Sequence, residues 1–240
     1  MGSLADMTRN AWICLAGQVV ATIGIGLQWL NYPQALPPGL LYVAGAIAIL
    51  LLERRSRWAP MGAVAMSGWI FLGGLSGGPL IKGLTSTKDI VLIGNWVMVA
   101  GLVVSVIAAV VAMATARPTE PNLERSTPVV VTSVGLLVFA IGNAMIFGLK
   151  LERPIAIVFI VMALLIPVVR HRFMIMISIV MSAAFLEGLL SQGGVARLGT
   201  PSEVVDFGAT LLMLGGLTAA LIAGIIAVLP RRAARLETSR

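Results

Sequence analysis

The chain alternates between long apolar stretches and short polar breaks. Eight stretches stand out, at 11–30, 39–52, 58–80, 86–116, 128–149, 154–169, 173–191 and 201–230. Charged residues gather toward their ends, and Glu187 is the one acid inside an otherwise apolar run. The breaks have chemical causes. The segment from Asn31 to Gly39 holds Pro33, Pro37 and Pro38, and proline lacks the amide that a helix interior needs. The second stretch stops at Glu53-Arg54-Arg55-Ser56-Arg57, and the third runs into Gly73-Gly74-Leu75-Ser76-Gly77-Gly78-Pro79. The longest polar segment, Arg117 to Ser126, carries Pro118 and Pro121. No period-two alternation is sustained, which argues against a membrane β-barrel. The pattern therefore predicts eight helices.

The second half of the chain echoes the first. A gapless shift of 115 residues brings Arg55 onto Arg170, Arg57 onto Arg172, Ser67 onto Ser182, Ser76 onto Ser191, Thr85 onto Thr200 and Arg117 onto Arg232. Apolar helices match by chance because they use few residue types; arginines and serines in one register do so far less often. The expected organisation is a first four-helix repeat over 1–118, a cytoplasmic linker over 119–127 and a second four-helix repeat over 128–240 that ends in a basic tail. Four spans per half is an even number, so both halves enter the membrane the same way. That predicts a parallel repeat about an axis along the membrane normal.

Composition identifies the solvent. Of 240 residues 58% are apolar and 11% are charged, and the mean hydropathy is +0.99. An ordinary soluble domain has about 25% charged residues, and one this poor in charge would expose large apolar patches. A membrane span needs roughly 20 mostly apolar residues. The fold class expected is all-α, a polytopic membrane bundle of eight transmembrane helices arranged as two parallel four-helix repeats. The first run, preceded by Arg9, reads as an uncleaved helix rather than a signal peptide.

The net charge of +7 fits the same picture. Arg9, Arg54, Arg55, Arg57, Arg117, Arg125, Arg170, Arg172, Arg231, Arg232, Arg235 and Arg240 fall on one side of the expected topology. Only Lys82, Lys88, Lys150, Arg153 and Arg197 fall on the other. The positive-inside rule then puts both termini in the cytoplasm of a cell-membrane protein, facing anionic lipid head groups. No basic run is interleaved with aromatics, so nucleic acid is not an expected partner.

Several chemistries are excluded by shortage. Cys14 is the single cysteine and cannot form an internal disulfide or a thiolate metal centre. His171 is the single histidine, which rules out a bis-histidine haem and a His-rich metal site. Gly74-Leu75-Ser76-Gly77 matches the G-x-S-G pattern of rhomboid proteases, but such a serine needs a nearby histidine. His171 lies at the opposite rim, where it reads as an interfacial residue. No enzyme activity, cofactor or metal is expected.

The remaining polar residues are candidates for a solute path or for packing. Glu187, Ser191, Gln192, Ser76, Asn95 and Asn143 are the candidate substrate or pathway residues. Glu187 faces an outward vestibule in that reading, or reaches the interface and pairs with Arg197. Gln18, Gln28 and both asparagines serve equally as interhelical hydrogen-bonding groups. Arg54, Arg55, Arg57, Arg170 and Arg172 are expected to anchor the cytoplasmic rim on lipid phosphate or helix carbonyls. Thr200-Pro201-Ser202-Glu203 reads as a capping box that starts the last helix. The second and sixth helices, at roughly 14 and 16 residues, reach about 21–24 Å against a core of about 30 Å. Short spans in matching positions point to a site at the repeat interface.

Two functions fit. The preferred one is a small-solute transporter or channel with its pathway between the repeats. The alternative is a non-catalytic subunit or scaffold that packs against partner membrane proteins or further copies of itself.

Overall fold

The computed structural model describes residues 7–30, 37–54, 56–76, 78–117, 123, 126–150, 154–191 and 193–229, without the side chains of Pro38 and Ser76. Arg55, Gln192, most of the linker and the basic tail lie outside the described residues. Within them no β-strand is assigned. The helices are α1 (Arg9–Trp29), α2 (Pro38–Leu52), α3 (Met61–Ser76), α4 (Pro79–Leu84), α5 (Asp89–Thr115), α6 (Thr127–Phe147), α7 (Ile155–Val169), α8 (Arg172–Ser191) and α9 (Val204–Val228), with a 3-10 turn at Gly194–Gly199 before α9. Five of them, α1, α5, α6, α8 and α9, are long and apolar enough to cross a membrane. Three shorter apolar helices, α2, α3 and α7, accompany them. The chain is thus an all-helical protein with the make-up of a membrane-embedded bundle, and its outward faces agree. Ile107 on α5 and Ile222 on α9 are both exposed, as lipid would favour.

The third apolar stretch is not one helix. It breaks after Ser76 and resumes as α4. Gly78 sits at φ 77°, a left-handed conformation that only glycine takes without strain, and Pro79 begins the next helix with its φ preset. Gly193, at φ 71°, makes the same turn before the 3-10 element.

The first and last helices of each half cross as a tight pair. A Cβ placed on Gly17 would lie 2.7 Å from the Gly101 carbonyl oxygen, and one on Gly135 would lie 2.7 Å from that of Gly216. Backbones this close need glycine on both sides, and van der Waals packing then replaces the hydrophobic drive that lipid removes. Gly24 meets Gly94 and Met98 two turns further along α1, while Gly142 meets Ala209 and Met213 on the α6–α9 pair. These contacts recur at offsets of 118 residues in α1 and α6 and 115 residues in α5 and α9. The gapless shift of 115 therefore does not extend to the first helix. The connections differ in length: α2 and α3 are separated by residues 53–60, whereas α7 and α8 are separated by Arg170 and His171 alone.

Between the halves α2 packs on α8, with Val180 filling the space that Gly45 leaves. Within the second half Phe139, Phe159 and Phe185 have ring centroids 4.3–5.6 Å apart in tilted and edge-on geometries, arrangements that aromatic quadrupoles favour, and Trp69 of the first half meets Phe185 at 5.5 Å.

The last helix does not begin at the expected capping box. Glu203 is its N-cap, and the Thr200 hydroxyl turns back to donate to the Arg197 carbonyl, 3.2 Å away. Thr85 behaves similarly, donating to Ile81 at 2.9 Å. Both threonines close the short element before them instead of opening the long helix after them.

Candidate functional site

A cavity of about 620 Å³ lies between the halves, toward the end of the bundle where α2 and α7 begin and α3, α6 and α8 finish. The first half supplies Gly39, Tyr42, Trp69, Ile70, Gly73 and Pro79. The second supplies Phe139, Asn143, Phe147 and Phe185, with Gly188, Gly194 and Arg197. Small residues make the space and aromatic residues wall it, the usual make-up of a ligand pocket in this size range.

The polar groups of the lining have distinct states. Trp69 Nε1 donates to the Tyr42 hydroxyl at 3.1 Å, which fixes both rings in the first-half wall. Asn143 is 5% exposed, and its side-chain amide makes no hydrogen bond to any described residue. It stands one helical turn before Phe147, so both fall on one face of α6. The Arg197 guanidinium lies over the Phe147 ring, 5.6 Å from its centroid, in a cation–π arrangement. Its ionic neighbour is Asp206 at 3.9 Å, with both side chains partly exposed. Arg197 thus pairs with Asp206, where one of the two readings of Glu187 has it pairing with that acid.

Of the candidate pathway residues whose side chains are described, only Asn143 lines this cavity. Glu187 and Ser191 border a second, more open cleft with Leu186 and Leu221, on another face of α8. The Glu187 Oε2 is buried there without a hydrogen-bond partner. Asn95 is buried within the first half, donates to the Val91 carbonyl at 2.8 Å and fills the space beside Gly83. Ser76 ends α3, and its side chain lies outside the described residues, as does Gln192. Gln18, also a candidate for packing, donates to Ser67 at 3.0 Å and Ser105 at 2.8 Å.

Sequence reasoning missed Tyr42, Trp69, Phe139, Phe147 and Phe185. Each looks like ordinary apolar filling along its own helix, and only the three-dimensional packing brings them to one space. An available signal was the pair of polar-headed aromatics within short apolar runs, since tyrosine and tryptophan in such places seek a partner.

At the other end of the bundle the arginines bind backbone. Arg57 Nε donates to the Met113 carbonyl at 2.8 Å, and an Arg172 Nη donates to the Val228 carbonyl at 2.6 Å. Each pair spans 56 residues and secures the last turn of its half's final helix. Arg170 caps α7 in the left-handed region, φ 54°, with its carbonyl accepting from Leu123 at 2.9 Å. Arg54 is partly buried just past α2. His171 is 6% exposed and packs between Trp58 and Phe173, at centroid distances of 6.4 and 5.8 Å. Burial holds its pKa below the ordinary 6.5, with the Glu53 carboxylate opposing the shift.

The chain matches no protein-family model, and the searches of curated proteins and of solved structures returned no match either.

Proposed function

We propose that the chain is a multi-pass membrane protein of eight transmembrane helices, duplicated from a four-helix unit, that passes a small organic solute through the space between its two halves. The observation that carries this reading is the cavity of about 620 Å³ walled by both halves near one end of the bundle.

Three features support it. The short helices α2 and α7 have 15 residues each, about 22 Å at 1.5 Å per residue, and both border the cavity. Short spans at corresponding positions mark the solute site in transporters with internal repeats. The recurrence of the glycine crossings, of the left-handed glycines and of the two arginine-to-carbonyl bonds supports duplication. At the end remote from the cavity, Arg172 and Glu53 join the halves, as a site open on one side requires. The arginine distribution supports a cytoplasmic location for that joined end and both termini of a cell-membrane protein. In this reading Arg57 and Arg172 anchor the helix ends, and Arg54, Arg55 and Arg170 face lipid head groups. The solute site comprises Asn143 and the aromatic wall, with no catalytic step and no cofactor.

Flux is the direct test. The purified protein is reconstituted in liposomes, and uptake of a panel of small radiolabelled aromatic solutes is compared with protein-free vesicles. Uptake that falls at least about tenfold in Trp69→Ala and Asn143→Leu supports the proposal. Uptake indistinguishable from empty vesicles across the panel refutes it. A cytoplasm-only reporter fused after Arg240 checks the orientation; its silence would reverse the topology.

A further inference from the structure

Resting on the reading that the cavity is the solute site, we infer that its ligand is a small aromatic carboxylate, with the ring among the aromatic side chains and the carboxylate received by Asn143 and Arg197.

The cavity is chemically lopsided. The wall made by Tyr42, Trp69 and Phe185 offers ring faces, and the Tyr42 hydroxyl is already engaged with Trp69. The polar capacity lies on the α6 side. Asn143 is 5% exposed and lines the cavity, and none of the side-chain hydrogen bonds within the described residues engages its amide. That amide offers a ligand's polar group both donors and an acceptor. The charged side chain in the lining is a cation, Arg197. Stacking over Phe147 holds its guanidinium in place, and its Asp206 partner, at 3.9 Å, leaves donors of the fork for another acceptor.

Charge decides among ligand classes. A neutral aromatic solute would use the rings and Asn143 but not Arg197. An aromatic cation would gain from the ring faces yet meet the guanidinium. A carboxylate uses everything present: an amide N–H donor and a charge-assisted fork at one end, aromatic surface at the other. A cavity of about 620 Å³ admits a two-ring acid.

The experiment is equilibrium dialysis of the full chain in nanodiscs at neutral pH, with empty nanodiscs as the blank for lipid partitioning. Three ligands of one shape are compared: 2-naphthoate, 2-naphthylmethanol and (2-naphthylmethyl)trimethylammonium. Naphthoate is expected to bind about tenfold or more tightly than the alcohol, the factor a charge-assisted hydrogen bond gives, and the cation more weakly than either. Arg197→Gln should erase the preference for the acid and leave the alcohol within about twofold. Asn143→Asp, nearly isosteric, should reverse the preference toward the cation, and it remains informative if the Arg197 variant fails to fold. Equal binding of all three ligands, best binding of the cation, or a charge preference that neither variant alters would overturn the inference. The first two of those outcomes would leave the cavity standing as a solute site. No saturable binding of any ligand, together with no flux of any solute in liposomes, would overturn the transport reading as well.

Discussion

An Arg172 Nη lies 3.5 Å from a Glu53 carboxylate oxygen, and this contact joins α8 of the second half to the end of α2 in the first. Glu53 is buried while the arginine side chain is 38% exposed, so solvent screens one side of the pair. The same guanidinium also donates to the Val228 carbonyl. Arg172→Gln and Glu53→Gln should each lower stability, because each breaks this contact. Combined in one chain, the changes should show a coupling of about 1 kcal/mol. Thermal unfolding in detergent checks this, and additive effects would mean that the pair does not tie the halves.

Adjacent glycines on α9 offer a sharper test. A Cβ on Gly216 would fall 2.6 Å from the Gly135 carbonyl oxygen and 2.6 Å from the Phe139 amide nitrogen, whereas one on Gly215 would meet nothing within 4 Å. Gly216→Ala must push two helix backbones apart. Overpacking of this kind costs about 1–3 kcal/mol, and the lost crossing of α6 and α9 should lower the melting temperature. Gly215→Ala should leave it unchanged. Matching melting temperatures for the two variants would show that the close crossing does not govern stability.

His171 predicts a pH dependence. Its ring packs between Trp58 and Phe173, near Glu53 and flanked in sequence by Arg170 and Arg172. A histidine whose folded pKa lies below the ordinary 6.5 takes up a proton more readily when unfolded. The unfolded state then binds more protons, so stability rises with pH through that window. The stabilising contribution is complete above about 6.5 and is lost as pH falls below it. Unfolding measured between pH 5 and 8 should show this slope, and His171→Gln should flatten it. An unchanged slope in that variant would assign the dependence to another group.

The fold was legible where chemistry interrupts the apolar pattern, and hidden where it does not. Prolines and arginines mark the ends of α1, α2 and α5, and the stretches between them became helices within a few residues. The glycine-rich end of the third stretch was visible, but the short α4 beyond it was not, because Pro79–Leu84 is too short to show a pattern of its own. The register of α1 on α6 was concealed by unequal connections. Gly17 and Gly24 find their counterparts in Gly135 and Gly142 only at an offset of 118. Of the cavity, Asn143 was visible as a polar residue in an apolar run. Its aromatic walls were not, because they come from several helices whose separate sequences carry no sign of convergence. Arg197 was visible only as a charge, and its role depends on the turn that places it over Phe147.

Divergence between the halves yields the last prediction. In the first half Gln18 Nε2 donates to Ser67 and Ser105, and Cys14 lies 3.3 Å from the Ser105 hydroxyl. These residues are buried, and they link α1, α3 and α5. Under the proposed duplication their counterparts are Thr132, Leu136, Ser182 and Ala220. Leucine in place of the glutamine removes the donor, and the Ser182 hydroxyl is indeed buried without a partner. The two equivalent serines should then respond oppositely to loss of the hydroxyl. Ser67→Ala removes an interhelical hydrogen bond and should destabilise by about 0.6 kcal/mol, within the range for such bonds in membrane helices. Ser182→Ala removes an unsatisfied polar atom and should be neutral or slightly stabilising. Unfolding of both variants in the same detergent decides the matter. A destabilised Ser182→Ala would mean that its hydroxyl has a partner such as water, and equal responses would undo the link between the missing glutamine and the orphaned serine.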